Sequence, residues 1–562
     1  MRRHFQFTAA LGAVFVAVVS AAGCGSGSGS NSGGGGGGET TYDMGTQTTV
    51  SDTDQYTFTN AGSSMVLGIS GQSQTAGTSV VQESAATTTA DIDWHFIPMG
   101  NNQYHIENML THQVMGVSSA STSAGAQVLE WADNGTNDHL WQFYLLGDGN
   151  YLARNVNSGL YLEDANSATT PSATIDQGSR GATGPGCTCQ EWTVTSTGNA
   201  AYPAPMSVSG TGIYVHDPFM LQDPATHIYW LYGTHQTIAY STDLSTFTYT
   251  TLSTPNGACT QTEGGFWITD DNHCPIVGPD FASWTGLQTP PSDNNGENTD
   301  VWAPDVLYAN RTYYQYYAIP YEPSTGAEAV IGLAISSAPN GPWTDMGYVV
   351  TSWTNATTAV PSPNPWGFTT RTTWNAIDPS PFIDSAGNWW LVYGSWSDGI
   401  RVLQLQDPSI ATSSATVGLP VSSDTSTWTK VAYRGAGEEG PFIYPYVING
   451  TQYYYYFAPI DVCCQGTAST YHEIVGRSTS PTGPFVDRGG IDLTAGGGTI
   501  LISAHANIDG PGGASVFTDT GSDGSKSLPT IVYHYYDGNN NGTPTLGINR
   551  LGFTADGWPY IE

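Results

Sequence analysis

The chain is short of charge, and shorter still of positive charge. Of its 562 residues 11% are charged, and 13 Lys and Arg face 47 Asp and Glu, a formal net charge of -34. A field of that sign repels nucleic acid, anionic lipid and acidic polysaccharide at long range, so it speaks against those partners and favours a neutral one. Long apolar runs are lacking too. The run from Ala9 to Val19 is too short for a membrane span, which needs about 20 residues. The seven cysteines include no pairs with the two-plus-two spacing of a zinc site. What the chain does hold is Gly 68, Tyr 32 and Trp 17, the composition of a β-rich exported protein with uncharged loops rather than a helical bundle. Its length allows about two to four domains.

Arg2 and Arg3, the apolar run and the small residues "SAAGC" ending at Cys24 read as an export signal over residues 1–23. Small residues before a cysteine resemble a bacterial lipobox. That implies an envelope lipoprotein whose only hold on a membrane is a lipid on Cys24; ordinary cleavage nearby would release a secreted protein instead. Residues 24–49 follow as a linker, and "GSGSGSNSGGGGGG" within it forms no packed core and serves as a tether. Export permits disulfides, and Cys259 with Cys274 would close a loop inside one long insertion. A monomer is expected.

Residues 50–197 contain three aligned segments: "YTFTNAGSSMVLGIS" from Tyr56, "YHIENMLTHQVMGVS" from Tyr104 and "YLARNVNSGLYLEDA" from Tyr151. They close on Trp94, Trp141 and Trp192, at Tyr-to-Trp distances of 38, 37 and 41 residues. Three units of short alternating strands predict a threefold all-β body. From residue 205 to 562 a longer repeat takes over, a tight Pro phrase leading into an apolar strand, a turn and an aromatic strand. Its copies are "HDPFMLQDPATHIYWLYGT", "WAPDVLYANRTYYQYYAI", "IDPSPFIDSAGNWWLVYGS" and "EGPFIYPYVINGTQYYYYFAP", with a degenerate fifth from Gly510. Five such units predict a five-bladed β-propeller, so the fold class is all-β, a trefoil and then a propeller.

In a propeller, equivalent positions of all blades meet around one axis. Asp217, Asp305, Asp378 and Glu439 would then converge, although each taken alone is an acid in a turn. Carboxylates around a neutral, hydroxyl-rich substrate point to glycosidic bond cleavage, with one acid protonating the leaving oxygen and another activating water. A third carboxylate helps by raising the pKa of the acid.

The first body resembles the ricin-type β-trefoil lectins, whose closing Gln-x-Trp survives in full only as Gln190-Glu191-Trp192; Ile92 and His139 stand for Gln in the other two units. The sugar-holding Asp of that family falls at Gly68, Gly116 and Glu163, so sugar binding is carried over only for the third unit. The second body resembles glycoside hydrolase family 43, and within it the endo-1,5-α-L-arabinanases. The phrases that carry this are "VHDPF", "DVWAPDV", "WNAIDPS", "EGPFI", "DVCCQG", "VGRSTSPTGPF", "GGGT", "YHYYD" and "DGWPYI". The resemblance implies Asp217 as general base, Glu439 as general acid and Asp378 as the residue that orients them. It also implies an inverting hydrolysis of arabinan, and a calcium ion at His534. Alternation along a strand would point Glu438 away from Glu439. Asp300, Trp302 and Asp305 would line the sugar site. Relatives carry a histidine where this chain has Gly513, and Cys463-Cys464 is a family feature. An exo-acting α-L-arabinofuranosidase or β-xylosidase on the same fold, and a non-catalytic polysaccharide-binding protein, are the alternatives.

Overall fold

Short strands of β-branched and aromatic residues, interrupted every few positions by Gly, Asn and Asp turns, can bury their apolar faces only by stacking sheet on sheet. The computed structural model describes residues 43–562 apart from 181–187, 236, 255–256, 261–300, 321–328, 353–371, 436 and 555. Strands and short 3-10 turns make up the regular structure among the described residues. The signal, most of the linker and the cysteine pair Cys259/Cys274 with its insertion fall partly or wholly outside them.

The N-terminal body is a β-trefoil. Phe58, Phe96 and Phe143 meet at its centre, with ring centroids 5.0 to 6.2 Å apart. The three closing tryptophans are fully buried, and each indole N–H donates to the matching carbonyl of its own unit: Leu67, Met115 and Leu162. They are core residues, which leaves none of them free to stack on a sugar. Asn60, Asn108 and Asn155 repeat a second bond, each side chain donating to a backbone carbonyl at 2.8 Å. The first strand, Thr46–Thr48, pairs with Phe143–Leu145, so the trefoil begins inside the stretch read from sequence as linker.

A third repeated bond joins Ser63 to Gln82 and Ser158 to Gln177, but in the second unit Thr111 donates to Glu130. Burial pushes the Glu130 carboxyl up to about 8, against the Thr111 hydroxyl and the Arg488 charge. The unfolded chain releases this proton near 4.5 and the folded one near 8, so stability falls as pH rises through that window. Glu130→Gln, which restores the residue of the other two units, is expected to stabilise the protein by roughly 1–3 kcal/mol at pH 8 and little at pH 5. Thermal unfolding at the two pH values checks it.

The propeller has five four-stranded antiparallel blades, each built from consecutive strands. The innermost strands are Phe219–Gln222, Trp302–Ala309, Ser380–Ile383, Phe442–Ile448 and Ile508–Asp519. Each touches the next, and the fifth touches the first, so the ring is closed. Blades five and one are joined by side chains: Gln222 bonds Thr520 and Gly521, and the Tyr229 hydroxyl donates to Asp519. The chain enters along blade five, with the Met206 N–H donating to the Ile548 carbonyl.

Every inner strand is preceded or interrupted by a residue in the left-handed region, Asp217, Ala303, Asp378, Gly440 and Gly513, with φ of 50, 39, 52, 54 and 63°, and the fifth strand holds a second, Gly510, at 51°. In the first four the next residue is proline, which disfavours the right-handed helical region for the residue before it. The fifth blade differs from the sequence reading. Its phrase was aligned on Gly510-Pro511, but shifts in register on both sides of Gly512 move Gly513 into the equivalent place.

Candidate active site

Those five left-handed residues, each with the two that follow, line one hollow at the propeller axis: 217–219, 303–305, 378–380, 440–442 and 513–515. The acids are therefore not equivalent by position. Asp217 and Asp378 occupy the strained residue itself, Glu439 stands one before it in blade four, and Asp305 two after it in blade two. Non-glycine residues in this region cost on the order of 1–3 kcal/mol each, so the surrounding packing holds both aspartates where they are.

Asp217 is the most heavily supported. Its Oδ2 lies 2.8 Å from His216 Nδ1 and accepts from the Thr234 hydroxyl at 2.6 Å; His534 Nδ1 lies 3.7 Å from Oδ1. Burial would raise its pKa, but the charge and bond of His216, the His534 ring and the Thr234 hydroxyl outweigh this and hold the carboxyl well below the usual carboxylate range. The side chain keeps 28% of its surface open, so it stays accessible as an anion. In the neutral His216 tautomer with the proton on Nδ1, Nε2 accepts from the Tyr536 hydroxyl 2.8 Å away.

Asp378 accepts from the Gly440 N–H at 3.0 Å, the peptide directly after Glu439. Burial first, then the charge of Asp217, pushes its carboxyl up to about 7, with the Gly440 N–H opposing. Glu439 accepts a hydrogen bond from the Tyr471 hydroxyl. Burial, Asp378 and Asp217, in that order, push it well above the usual glutamate range. Its neighbour Glu438 turns elsewhere, into the core, where the Tyr456 hydroxyl donates to it at 2.8 Å. Two adjacent glutamates thus serve different surroundings.

The remaining predicted residues divide. Asp305 lines the hollow but is only 5% exposed, and burial pushes its carboxyl far up against the Ser380 hydroxyl and the Val306 N–H. It sits in the floor rather than open to a sugar. Trp302 is half-buried against Ala318, Ala329 and Ile377, the residue before Asp378. Asp300 lies outside the described residues.

His534 is fully buried, stacked on His216 with centroids 3.8 Å apart. Burial and His216 push its pKa well down, with Asp217 opposing. Among the described residues His216, Asp217 and His534 form the one group of His, Cys, Asp or Glu donors close enough to share a metal ion. His534 Nε2 is buried without a hydrogen-bond partner, so it is the ligand atom left over. In the tautomer with the proton on Nδ1 it offers a lone pair; in the other, Nδ1 accepts from the Asp217 N–H at 3.2 Å. A Cβ on Gly513 would stand 2.9 Å from Asp217 Oδ1 and 3.0 Å from His534 Nδ1. The absent side chain is what lets these groups approach.

Sequence reasoning missed His216, Thr234, Tyr471 and Tyr536. His216 was within reach, being the first letter of the repeated phrase that supplied Asp217. Thr234 directly follows the second strand of blade one and Tyr471 directly precedes the third strand of blade four, whereas Tyr536 lies on the second strand of blade five, inside the phrase "YHYYD". Cys463 and Cys464 are bonded to each other, with the Cys464 N–H donating to Tyr536 and its sulfur 3.8 Å from His216.

The profile of the glycosyl hydrolases family 43 matches residues 278–559. The chain belongs to that family. This glycoside hydrolase carries in addition a ricin-type beta-trefoil lectin domain-like module, matched over residues 46–131 and 137–211. It is similar to the extracellular endo-alpha-(1->5)-L-arabinanase 1 of Bacillus subtilis (strain 168), 36% identical over 279 residues, which cover 49% of this chain and 72% of the relative. It is also similar to a protein of Emericella nidulans named "Probable arabinan endo-1,5-alpha-L-arabinosidase A", 30% identical over 373 residues, 64% of this chain and 94% of that one. Among solved structures it is similar to a GH43 endo-arabinanase from Bacillus licheniformis, 27% identical, covering 63% of this chain and 99% of that one with a TM-score of 0.44.

Proposed function

We propose that this family 43 enzyme hydrolyses α-1,5-linked L-arabinan in an endo fashion, with inversion at the anomeric carbon. The observation that carries the reading is the opposite drift of two carboxyls beside one hollow: Asp217 held ionised, Glu439 held protonated. Inverting hydrolysis needs both states at one pH. Asp217 takes a proton from water, which attacks the anomeric carbon from the face opposite the leaving group. Glu439 gives its proton to the departing oxygen in the same step, so no covalent glycosyl-enzyme forms. Asp378 touches neither; its bond to the Gly440 N–H fixes the peptide that follows the acid, and its charge, when present, raises the Glu439 pKa.

His534 would hold a calcium ion through Nε2, with waters completing the oxygen-rich shell the ion prefers. Its charge would add to the field that keeps Asp217 ionised. The names of the relatives support arabinan as substrate, and the acidity of the chain suits a neutral polymer. The extracellular relative supports export, and the leader motif supports a lipid on Cys24.

Linear arabinan with xylan as control tests the reading. Early products are expected to be a spread of oligosaccharides whose new reducing ends form as the β-anomer by proton NMR. Arabinose alone from the first minutes would make the enzyme exo-acting. An α-anomer would overturn inversion, and binding with no turnover would overturn catalysis.

A further inference from the structure

The second trefoil unit departs from the lectin pattern twice, with Gly116 in place of the sugar-holding acid and His139 in place of the closing Gln. In the third unit the closing Gln190 donates to Glu163 at 2.5 Å. In the second, the His139 ring fills the space above Gly116, where an added Cβ would stand 2.3 Å from Cδ2. Its Nδ1 turns instead to Asp133, 3.2 Å from Oδ1, and His105 Nε2 lies 3.5 Å from the same oxygen. All three side chains are buried. Asp133 belongs to residues 132–136, which neither matched lectin stretch includes.

Asp133 then reaches across to the propeller. Arg434 donates through Nη2 to the Asp133 carbonyl at 2.7 Å and through Nη1 to Oδ2 at 3.3 Å, and the two side chains are 9% and 4% exposed. Arg434 lies five residues before Glu439. Between them Gly435 and Gly437 both have positive φ, and the Gly437 backbone lies so close to Asp461 that an added Cβ would stand 2.6 Å from its carbonyl. Arg434 is tied to the trefoil, Gly437 packs against Asp461 and Glu438 is held by Tyr456.

We propose that the second trefoil unit has become a buttress for the general acid: Asp133, oriented by His139 and His105, holds Arg434 and through it the segment that carries Glu439. The trefoil thus contributes positioning residues to chemistry done in the propeller. The physical reason is that a buried, paired arginine cannot wander without leaving two charges uncompensated, while a misplacement of about 1 Å at a reacting group costs about 100-fold in rate. The proposal rests on Glu439 being the acid.

The test uses the full chain and linear arabinan. Arg434→Met is expected to lower kcat at least about tenfold with KM within about twofold. The alkaline limb of kcat should also move to lower pH, because water admitted around Glu439 relieves the burial that, with Asp378 and Asp217, keeps it protonated. Arg434→Lys should recover most of the loss, and Asp133→Asn should shift both readouts in the same direction as Arg434→Met. Wild-type kcat and an unmoved limb in Arg434→Met and Asp133→Asn, whatever their melting temperatures, would overturn the buttress. Full activity in Glu439→Gln would overturn the acid assignment instead, so the two failures are told apart.

Discussion

Glu439→Gln lowers kcat on linear arabinan by about 10²–10⁴-fold, the range for a general acid lost from the transition state. The substitution keeps size and hydrogen-bonding capacity, so binding should persist and KM should change little. The loss should depend on the leaving group. From an arabino-oligosaccharide with an activated aryl group at its reducing end, the aryl group leaves as a phenolate without needing a proton, so its release should fall far less than the cleavage of arabinan. Steady-state kinetics on the two substrates check this, and equal losses would remove Glu439 from the role of acid. The wild-type pH profile follows from the same residue. Glu439 must carry its proton, and burial with two neighbouring carboxylates raises its pKa, so activity extends above the usual glutamate range and falls as pH rises through that raised value.

Asp217→Asn should cost about 10²–10⁴-fold as well, but on both substrates alike, since water must be activated whichever group departs. It should also move the alkaline limb of the residual activity to lower pH, because the Asp217 charge is one of the causes that raise both Asp378 and Glu439. A pH–rate profile on the variant reads the two effects together. An unshifted limb would mean that Asp217 does not share a field with the acid.

The repeats made much of this legible. Trp94, Trp141 and Trp192 announced a threefold body because each unit needs the same indole-to-carbonyl bond to close its core. The recurring Pro phrase announced the blades because each inner strand starts from the same left-handed turn. The fifth blade was misaligned because the phrase is marked by proline in the first four copies, whereas a bulge and a glycine do that work in the fifth. Asp305 looked like a sugar contact from its place beside a proline; two residues past the turn, it drops into the floor.

The sequence by itself determined the class of fold, the acidic character of the chain and which carboxylates were candidates, because repeated patterns and charge are local properties that each unit states for itself. Only the tertiary structure decided which carboxyl is held ionised and which protonated, since those states depend on burial, on His534 and Thr234 brought to Asp217, and on Asp378 and Asp217 brought to Glu439. It likewise decided that Asp133 of the trefoil meets Arg434 of the propeller. Residues about 300 positions apart share no pattern along the chain, and their pairing exists only where the trefoil and the propeller pack together and exclude water.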